Sequence, residues 1–344
     1  MKPHFSQPAD IKVAVVGYGG IYNMGRIHLQ DVQKAGMTPR AAVELDAERL
    51  ALAPKDFPGI QTYHTVEEML AQSDVNLVIL ITPHNTHAPL ALQCIAAGRH
   101  VVCEKPFAIT TLECDTMIAA AEKAGVMLST FHNRHWDGSV MKALEVVRSG
   151  LIGDIVRIEC HMGQWNKPGD IWRASKSISG GILYDWGVHL LEYGLQLIQA
   201  EITEVTGYAK CGFWNAQTKW QADTIEDEGF AVVRFNNGAW LSLCITHIDA
   251  NPKRGMFEVT GTKGSMVFEY DSHEIIVRDA DKTVVTKGKN PKEQWERFYA
   301  NIADHLTKGE ALVITPEWAR RPIHILDLAD QSAREGRAIT ARYR

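Results

Sequence analysis

Apolar runs at residues 11–16 and 75–81, with a shorter one at 101–103, mark the first third of the chain. A strand that is apolar at successive positions is covered on both faces, which is the mark of a parallel sheet. Between these runs the period changes to that of a helix at residues 24–35, 47–52, 65–72, 89–97 and 112–124. Residues 41–43 and 126–130 predict two more short strands. Gly36 and Pro39 break the first helix, and Thr65 with Glu68 has the spacing of a capping box. Strand and helix taking turns up to residue 131 predict right-handed crossovers and an α/β domain, a Rossmann doubly wound parallel sheet.

The pattern changes after His132. Residues 140–149 and 185–199 are helical in period, while 155–164, 204–210, 229–235, 240–246, 256–260 and 265–269 are β-type. Asn236-Asn237-Gly238 stands between two of these as a hairpin signal. Helical regions at 293–308 and 316–336 close the chain. The expectation is a C-terminal α+β domain with a large, mostly antiparallel open sheet. The chain is therefore divided into a dinucleotide-binding Rossmann domain at 1–131 and a substrate-binding and oligomerisation domain at 132–344. Helices on one face of an open sheet leave the other face for a partner, which predicts a homo-oligomer.

Composition narrows the classes. A chain of 344 residues with 45% hydrophobic and 22% charged residues suits two globular domains. The net charge of -5, without a block of like charges, argues against a nucleic-acid partner. The first ten residues lack an apolar core of the secretory kind, and the apolar runs fall far short of the ~20 residues that span a bilayer. The six cysteines form no CxxC pair and show no zinc spacing. We expect a soluble cytoplasmic protein with no membrane partner. His84-x-x-His87 and His132-x-x-His135 lack a third ligand, so no metal is expected.

Candidate chemistry starts at Gly17-Tyr18-Gly19, followed by Gly20 and Ile21, between the first strand and the first helix. Glycines there permit a tight turn and close approach of backbone to a pyrophosphate. The usual third glycine would fall at Tyr22, and Gly25 comes three residues late. Glu44 ends the second strand, where an acid accepts ribose hydroxyls and repels a 2′-phosphate. That favours NAD, with NADP left open by Arg40 and Arg49, and Asp46 competes for the role. Glu104-Lys105-Pro106 lies just past a buried strand, at the carboxyl end where open sheets bind ligands. Asp185 and His189 are four residues apart and share one helix face. Imidazole takes a proton near neutral pH, and an ammonium stabilises a developing alkoxide. Taken singly, Asp185 and His189 read more readily as a helix cap and a core histidine, and Lys105 reads equally well as a surface residue.

Taken together, these residues resemble a family. Gly17-Tyr18-Gly19, Thr82-Pro83 with Asn85 and His87, Glu104-Lys105-Pro106, Phe131-His132-Asn133-Arg134 and the run Gly180 to His189 occur in the order found in the Gfo/Idh/MocA oxidoreductases. The likeness extends over nearly the whole chain and is poorest at the glycine loop. It implies catalytic Lys105, Asp185 and His189, with His189 as general base and Asp185 orienting or polarising the site. It implies cofactor contacts from Gly17, Gly19, Gly20, Ile21, Glu44, Thr82, Asn85, His87, Glu104 and Lys105, and a cis Lys105–Pro106 bond. Asn133, Arg134, Trp172 and Arg173 are candidate substrate contacts beside Lys105, Asp185 and His189. The implied activity is NAD(P)-dependent oxidation of a secondary hydroxyl of a sugar, sugar derivative or cyclitol, by a homodimer or homotetramer. Two alternatives stay open: NAD-assisted glycoside cleavage or elimination through a transient keto-sugar, and a non-catalytic sensor of NAD or sugar. The implied site needs the amine of Lys105 to meet the Asp185–His189 couple over the nicotinamide.

Overall fold

The computed structural model describes residues 4–20 and 22–343. Six strands, β1 (Lys12–Val16), β2 (Thr38–Val43), β3 (Gln61–Tyr63), β4 (Leu77–Leu80), β5 (His100–Cys103) and β6 (Leu128–Thr130), form one parallel sheet in the order β3-β2-β1-β4-β5-β6. The helices between them are α1 (Met24–Lys34), α2 (Ala47–Leu50), α3 (Ala53–Asp56), α4 (Val66–Gln72), α5 (His87–Ala96) and α6 (Thr111–Ala124). The unbroken apolar runs are the buried central strands, as a sheet covered on both faces requires. Thr65 and Glu68 do form the capping box that opens α4. Strand order reverses between β1 and β4, so the turns that follow these two strands part and leave a crevice at their carboxyl ends.

The remaining strands are β7 (Ile155–Gly163), β8 (Ile202–Lys210), β9 (Glu228–Phe235), β10 (Trp240–Thr246), β11 (Phe257–Gly261), β12 (Gly264–Phe268), β13 (Ser272–Asp279), β14 (Lys282–Lys289) and β15 (Ile339–Thr340). They build a nine-stranded sheet, β14-β13-β12-β11-β7-β10-β9-β8-β15, antiparallel except for the β7–β10 pair. Helices α7 (Gly138–Arg148), α8 (Lys176–Ser179), α9 (Leu183–Leu197), α10 (Arg297–Lys308) and α11 (Pro316–Glu335) complete the described α-helices. Gly238, at φ +87°, makes the β9–β10 turn where the sequence signals a hairpin. The sequence reading does not include β3, β13, β14 and β15. β3 has three residues, and β14 is exposed along nearly its whole length, so it has no apolar alternation to detect; backbone pairing with β13 holds it.

α9 lies close on β10 because it has glycine at the contact. A Cβ on Gly194 would fall 2.1 Å from Leu241 Cδ1, and one on Gly187 would fall 2.8 Å from Leu243 Cδ2. The odd-numbered residues Leu241, Leu243 and Ile245 thus face α9, and Trp240, Ser242 and Cys244 face the other way. The chain falls into two compact units: Met1–Asn133 with Glu296–Arg320, and Arg134–Trp295 with Arg321–Arg344. Residues 296–320, which follow β14 in sequence, cluster with the parallel sheet.

Candidate active site

In the first unit the glycine turn is built for close approach. Gly17, Gly19 and Gly20 have φ of +98°, +92° and +76°, a region that residues with a Cβ rarely enter. A Cβ on Gly17 would come 2.9 Å from Ile81 O, so the turn after β1 presses against the end of β4. Gly25, three positions late, still has a packing role. Its Cβ would meet Gly17 O at 2.9 Å, so only glycine lets α1 start this near the turn. Asn23, in the left-handed conformation, caps α1, and its Oδ1 accepts from Gly19 N at 3.2 Å. Ile21 lies outside the described residues. A turn of glycines opening on a helix N-terminus, with backbone space that a side chain would fill, fits a dinucleotide pyrophosphate.

Glu44 is half-buried at the end of β2, and its Oε1 accepts from Asp46 N at 3.1 Å. Asp46 is the N-cap of α2, accepting from Glu48 N and Arg49 N. That engagement separates the two acids: Asp46 belongs to the helix, and Glu44 is the one standing at the strand end. Arg40 pairs with Asp74 at 2.6 Å, while the stem of Arg49 packs beside Gly19.

After β4, Thr82 and Pro83 start the second turn, with Asn85 exposed on it. His87 is fully buried, with Nε2 2.9 Å from Thr82 O and Nδ1 2.8 Å from Pro106 O. It therefore ties the turn after β4 to the loop after β5. Burial pushes its pKa down, against the pull of the two carbonyls and of Glu104, so the neutral ring bonds through one N–H. The Lys105–Pro106 bond is cis. Glu104 Oε2 accepts from Lys105 N at 2.9 Å and Oε1 faces His28 Nε2 at 2.9 Å. Burial works against the charge of Glu104, but the hydrogen bond with His28, then the charge and backbone N–H of Lys105, outweigh it and hold the carboxyl below its ordinary range. Asn133, half-buried, ends the first stretch of this unit.

In the second unit Asp185 occupies the first turn of α9, where the helix dipole favours a carboxylate. Its Oδ1 lies 3.7 Å from Arg173 Nε, and Arg173 in turn stacks 4.9 Å from the ring centroid of Trp172. His189, four residues on, is 4% exposed, with Trp186 beside it at 5.7 Å between ring centroids. Gly180 and Gly181, at φ +92° and +127°, make room for protein. A Cβ on Gly181 would fall 2.8 Å from Glu226 Oε2, and this carboxylate accepts from Ile182 N at 2.8 Å, capping α9. Asp185 is therefore relieved of the capping task.

Arg134 stands in an aromatic cage, its guanidinium 4.7 Å from the Trp186 ring, 5.4 Å from Trp295 and 5.8 Å from Tyr270. Asp137 pairs with it at 3.1 Å and also accepts from Tyr193 OH at 2.5 Å and Trp295 Nε1 at 2.6 Å. The structure thus brings Arg134, Trp186 and His189 into one neighbourhood, with Trp172, Arg173 and Asp185 forming a second group on the same helix start. Trp186, Asp137 and Glu226 are not among the residues the sequence singles out for the site. Trp186 sits between Asp185 and His189 in the sequence, a signal that was available; Asp137 and Glu226 depend on tertiary contacts.

Among the described residues no group of three or more His, Cys, Asp or Glu side chains is arranged to hold a metal ion, and no helix is long and apolar enough to cross a membrane.

Comparison with known proteins gives the same outline. The profile of the oxidoreductase family with NAD-binding Rossmann fold matches residues 11–132, and that of the GFO/IDH/MocA C-terminal domain matches residues 140–267. The chain is 28% identical to scyllo-inositol 2-dehydrogenase (NADP(+)) IolW of Bacillus subtilis, over 96% of this chain and 95% of that one. It is also 28% identical to myo-inositol 2-dehydrogenase of Thermotoga maritima, over 74% of each. Levoglucosan dehydrogenase in complex with NADH and levoglucosan superposes with a TM-score of 0.82 at 21% identity, covering 96% of this chain and 99% of that one. The two matched domains, in this order on a parallel and then a mostly antiparallel sheet, establish that the chain belongs to the GFO/IDH/MocA family of oxidoreductases and that its first unit is an NAD-binding Rossmann domain.

Proposed function

We propose that the protein is an NAD(P)-dependent dehydrogenase that oxidises a secondary hydroxyl of a sugar, sugar derivative or cyclitol. The observation that carries this reading is the placing of Glu104-Lys105 on the carboxyl end of β5, beside the strand where the sheet order reverses. A cation at that place in an NAD-binding domain serves a reacting oxygen. The inositol and levoglucosan dehydrogenases that resemble the chain support a polyhydroxylated substrate.

The nicotinamide, when bound, supplies a hydride acceptor. Lys105 holds a positive charge for the oxygen that gains electron density as hydride leaves carbon. His189 takes the hydroxyl proton, and its burial keeps the ring out of bulk water while Trp186 fixes its plane. Asp185, set in place by Arg173, orients that proton transfer. Arg134, Trp172 and Arg173 offer donors and ring faces for hydroxyl groups, and Asn133 adds an amide. Thr82 and Asn85 contact the cofactor from the turn after β4, and His87 steadies that turn from beneath. Glu44 accepts the ribose diol and thereby favours NAD over NADP. The face of the second sheet that carries Phe230, Val232, Trp240 and Cys244, turned away from α9, meets a second copy of the chain in a homodimer or homotetramer.

A panel of sugars and cyclitols assayed with NAD and with NADP, following nicotinamide absorbance, tests this. The expected result is substrate-dependent reduction, faster with NAD. Substrate consumed with no net reduction would instead indicate redox-assisted cleavage, and no turnover on any polyol would favour a sensor.

A further inference from the structure

Glu104 is the middle of a longer chain of contacts. His28 on α1 has Nε2 2.9 Å from Glu104 Oε1 and Nδ1 2.5 Å from the hydroxyl of Tyr299 on α10. All belong to the first unit. The imidazole is fully buried and the phenol is 1% exposed. Phe131 packs edge-on against His28 at 4.4 Å and stacks on Tyr299 at 5.5 Å, and Phe298 closes the casing at 4.9 Å from Phe131. The His28–Tyr299 end of the line is closed to water, so the proton between them has one owner.

The donors can be assigned in order. Burial and the charge of Glu104 keep the proton on Tyr299, and the phenol's hydrogen-bond partner is His28 Nδ1. A buried hydroxyl donates where an acceptor is at hand, so Nδ1 accepts. The ring proton is then on Nε2 and points at Glu104 Oε1. Glu104 accepts it as a carboxylate, and its second oxygen receives the backbone N–H of Lys105. Phenol, neutral imidazole, carboxylate and the Lys105 backbone form one directed series.

We propose that His28 and Tyr299 are positioning residues which, through Glu104, fix the place and orientation of Lys105 for hydride transfer. A carboxylate with a single anchor rotates about its own bonds; one clamped from an imidazole and from the following peptide does not. The peptide that carries the ammonium is thus referred to two helices that it does not belong to. The proposal rests on the catalytic reading of Lys105, so its test includes a measurement that does not.

Nitrogen-15 labelled histidine spectra of the full chain, without cofactor, report the tautomer of His28 directly. The other groups facing the line are Asp31, His87 and Lys105, so the pH series is repeated in Lys105→Met. The expected spectrum at neutral pH has Nδ1 unprotonated and Nε2 protonated. Tyr299→Phe removes one oxygen from a buried ring and leaves its packing; the Nδ1 resonance of His28 should then lose the shift that its hydrogen bond gives it. kcat should fall about tenfold with an altered acid limb of the pH profile, while the Kd for NADH stays within about threefold. His28→Gln keeps one acceptor and one donor and should retain more turnover than His28→Leu. A protonated Nδ1 in the parent protein overturns the proposal. So does a Tyr299→Phe variant unchanged in both spectrum and pH profile. Normal turnover in Lys105→Met with the expected spectra would refute the function assigned to Lys105 while leaving the directed series standing.

Discussion

Each unit holds a carboxylate against its candidate site residues, Glu104 in the first and Asp137 in the second, and the two are satisfied in different ways. Glu104 is held by a neutral imidazole and a peptide N–H, with Lys105 contributing charge from the next residue. Asp137 is held by the guanidinium of Arg134 together with a phenol and an indole. The first arrangement is directional and light on charge, which suits a group that has to stand at a set angle beside a bound cofactor. The second is a countercharge neutralised inside an aromatic cage, which suits a wall of a pocket. Removing one partner therefore has different consequences in the two units.

The largest effect is expected at Asp137. Asp137→Ala leaves Arg134 buried among Trp186, Trp295 and Tyr270 with its charge uncompensated, which should cost about 3–5 kcal/mol in urea unfolding of the second unit. A cost under about 1 kcal/mol would show that the cage itself satisfies the guanidinium.

Acid stability should separate the units next. His100 in β5 is buried and neutral, with Nδ1 accepting from Met127 N at 2.9 Å, and burial lowers its pKa to about 4. The unfolded chain therefore binds a proton between pH ~6.5 and ~4 that the folded chain refuses. Stability of the first unit should fall through that window as pH drops, by ~3 kcal/mol in all, and level off below it. His100→Asn keeps an acceptor that cannot be protonated and should flatten the slope. A slope that persists would place the acid-sensitive group elsewhere. The lowered pKa of Glu104 acts in the same direction at lower pH: its contribution is complete above the ordinary carboxyl range and is lost as pH falls through the lower folded value.

Smaller again is Glu104→Gln. The amide oxygen still accepts from His28, so the loss should be ~1 kcal/mol, well below that of Asp137→Ala. Equal losses would erase the contrast between the two sites. The smallest effect concerns cofactor choice. Glu44→Gln removes the charge that opposes a 2′-phosphate and should move the ratio of kcat/KM for NADP over NAD upward by about tenfold; an unmoved ratio would assign that choice to Arg49 or another group.

The two units were also unequally legible. Runs such as Leu77–Leu80 and His100–Cys103 announce a parallel sheet because both faces are dry, and each turn residue falls where the alternation demands. The second sheet was read from β7 to β12, but β14 carries its pairing in backbone bonds and leaves its side chains in water. Lys105, Asp185 and His189 stood out because each sits in a short local motif. His28 and Tyr299 did not, since they are 271 positions apart and meet only when α10 clusters with the parallel sheet. Gly25 looked like a defect in the glycine loop and proves to be the contact glycine of α1. Gly180 and Gly181 signal close approach without saying to what; the approaching groups are Tyr184 at Gly180 and Glu226 at Gly181.

The most direct measurement is single-turnover hydride transfer by the parent protein and by Lys105→Met, on the best substrate of the polyol panel, with NADH binding followed in parallel. The account predicts a rate about 10²–10³-fold lower in the variant with cofactor affinity nearly unchanged. Equal rates in the two proteins would contradict it.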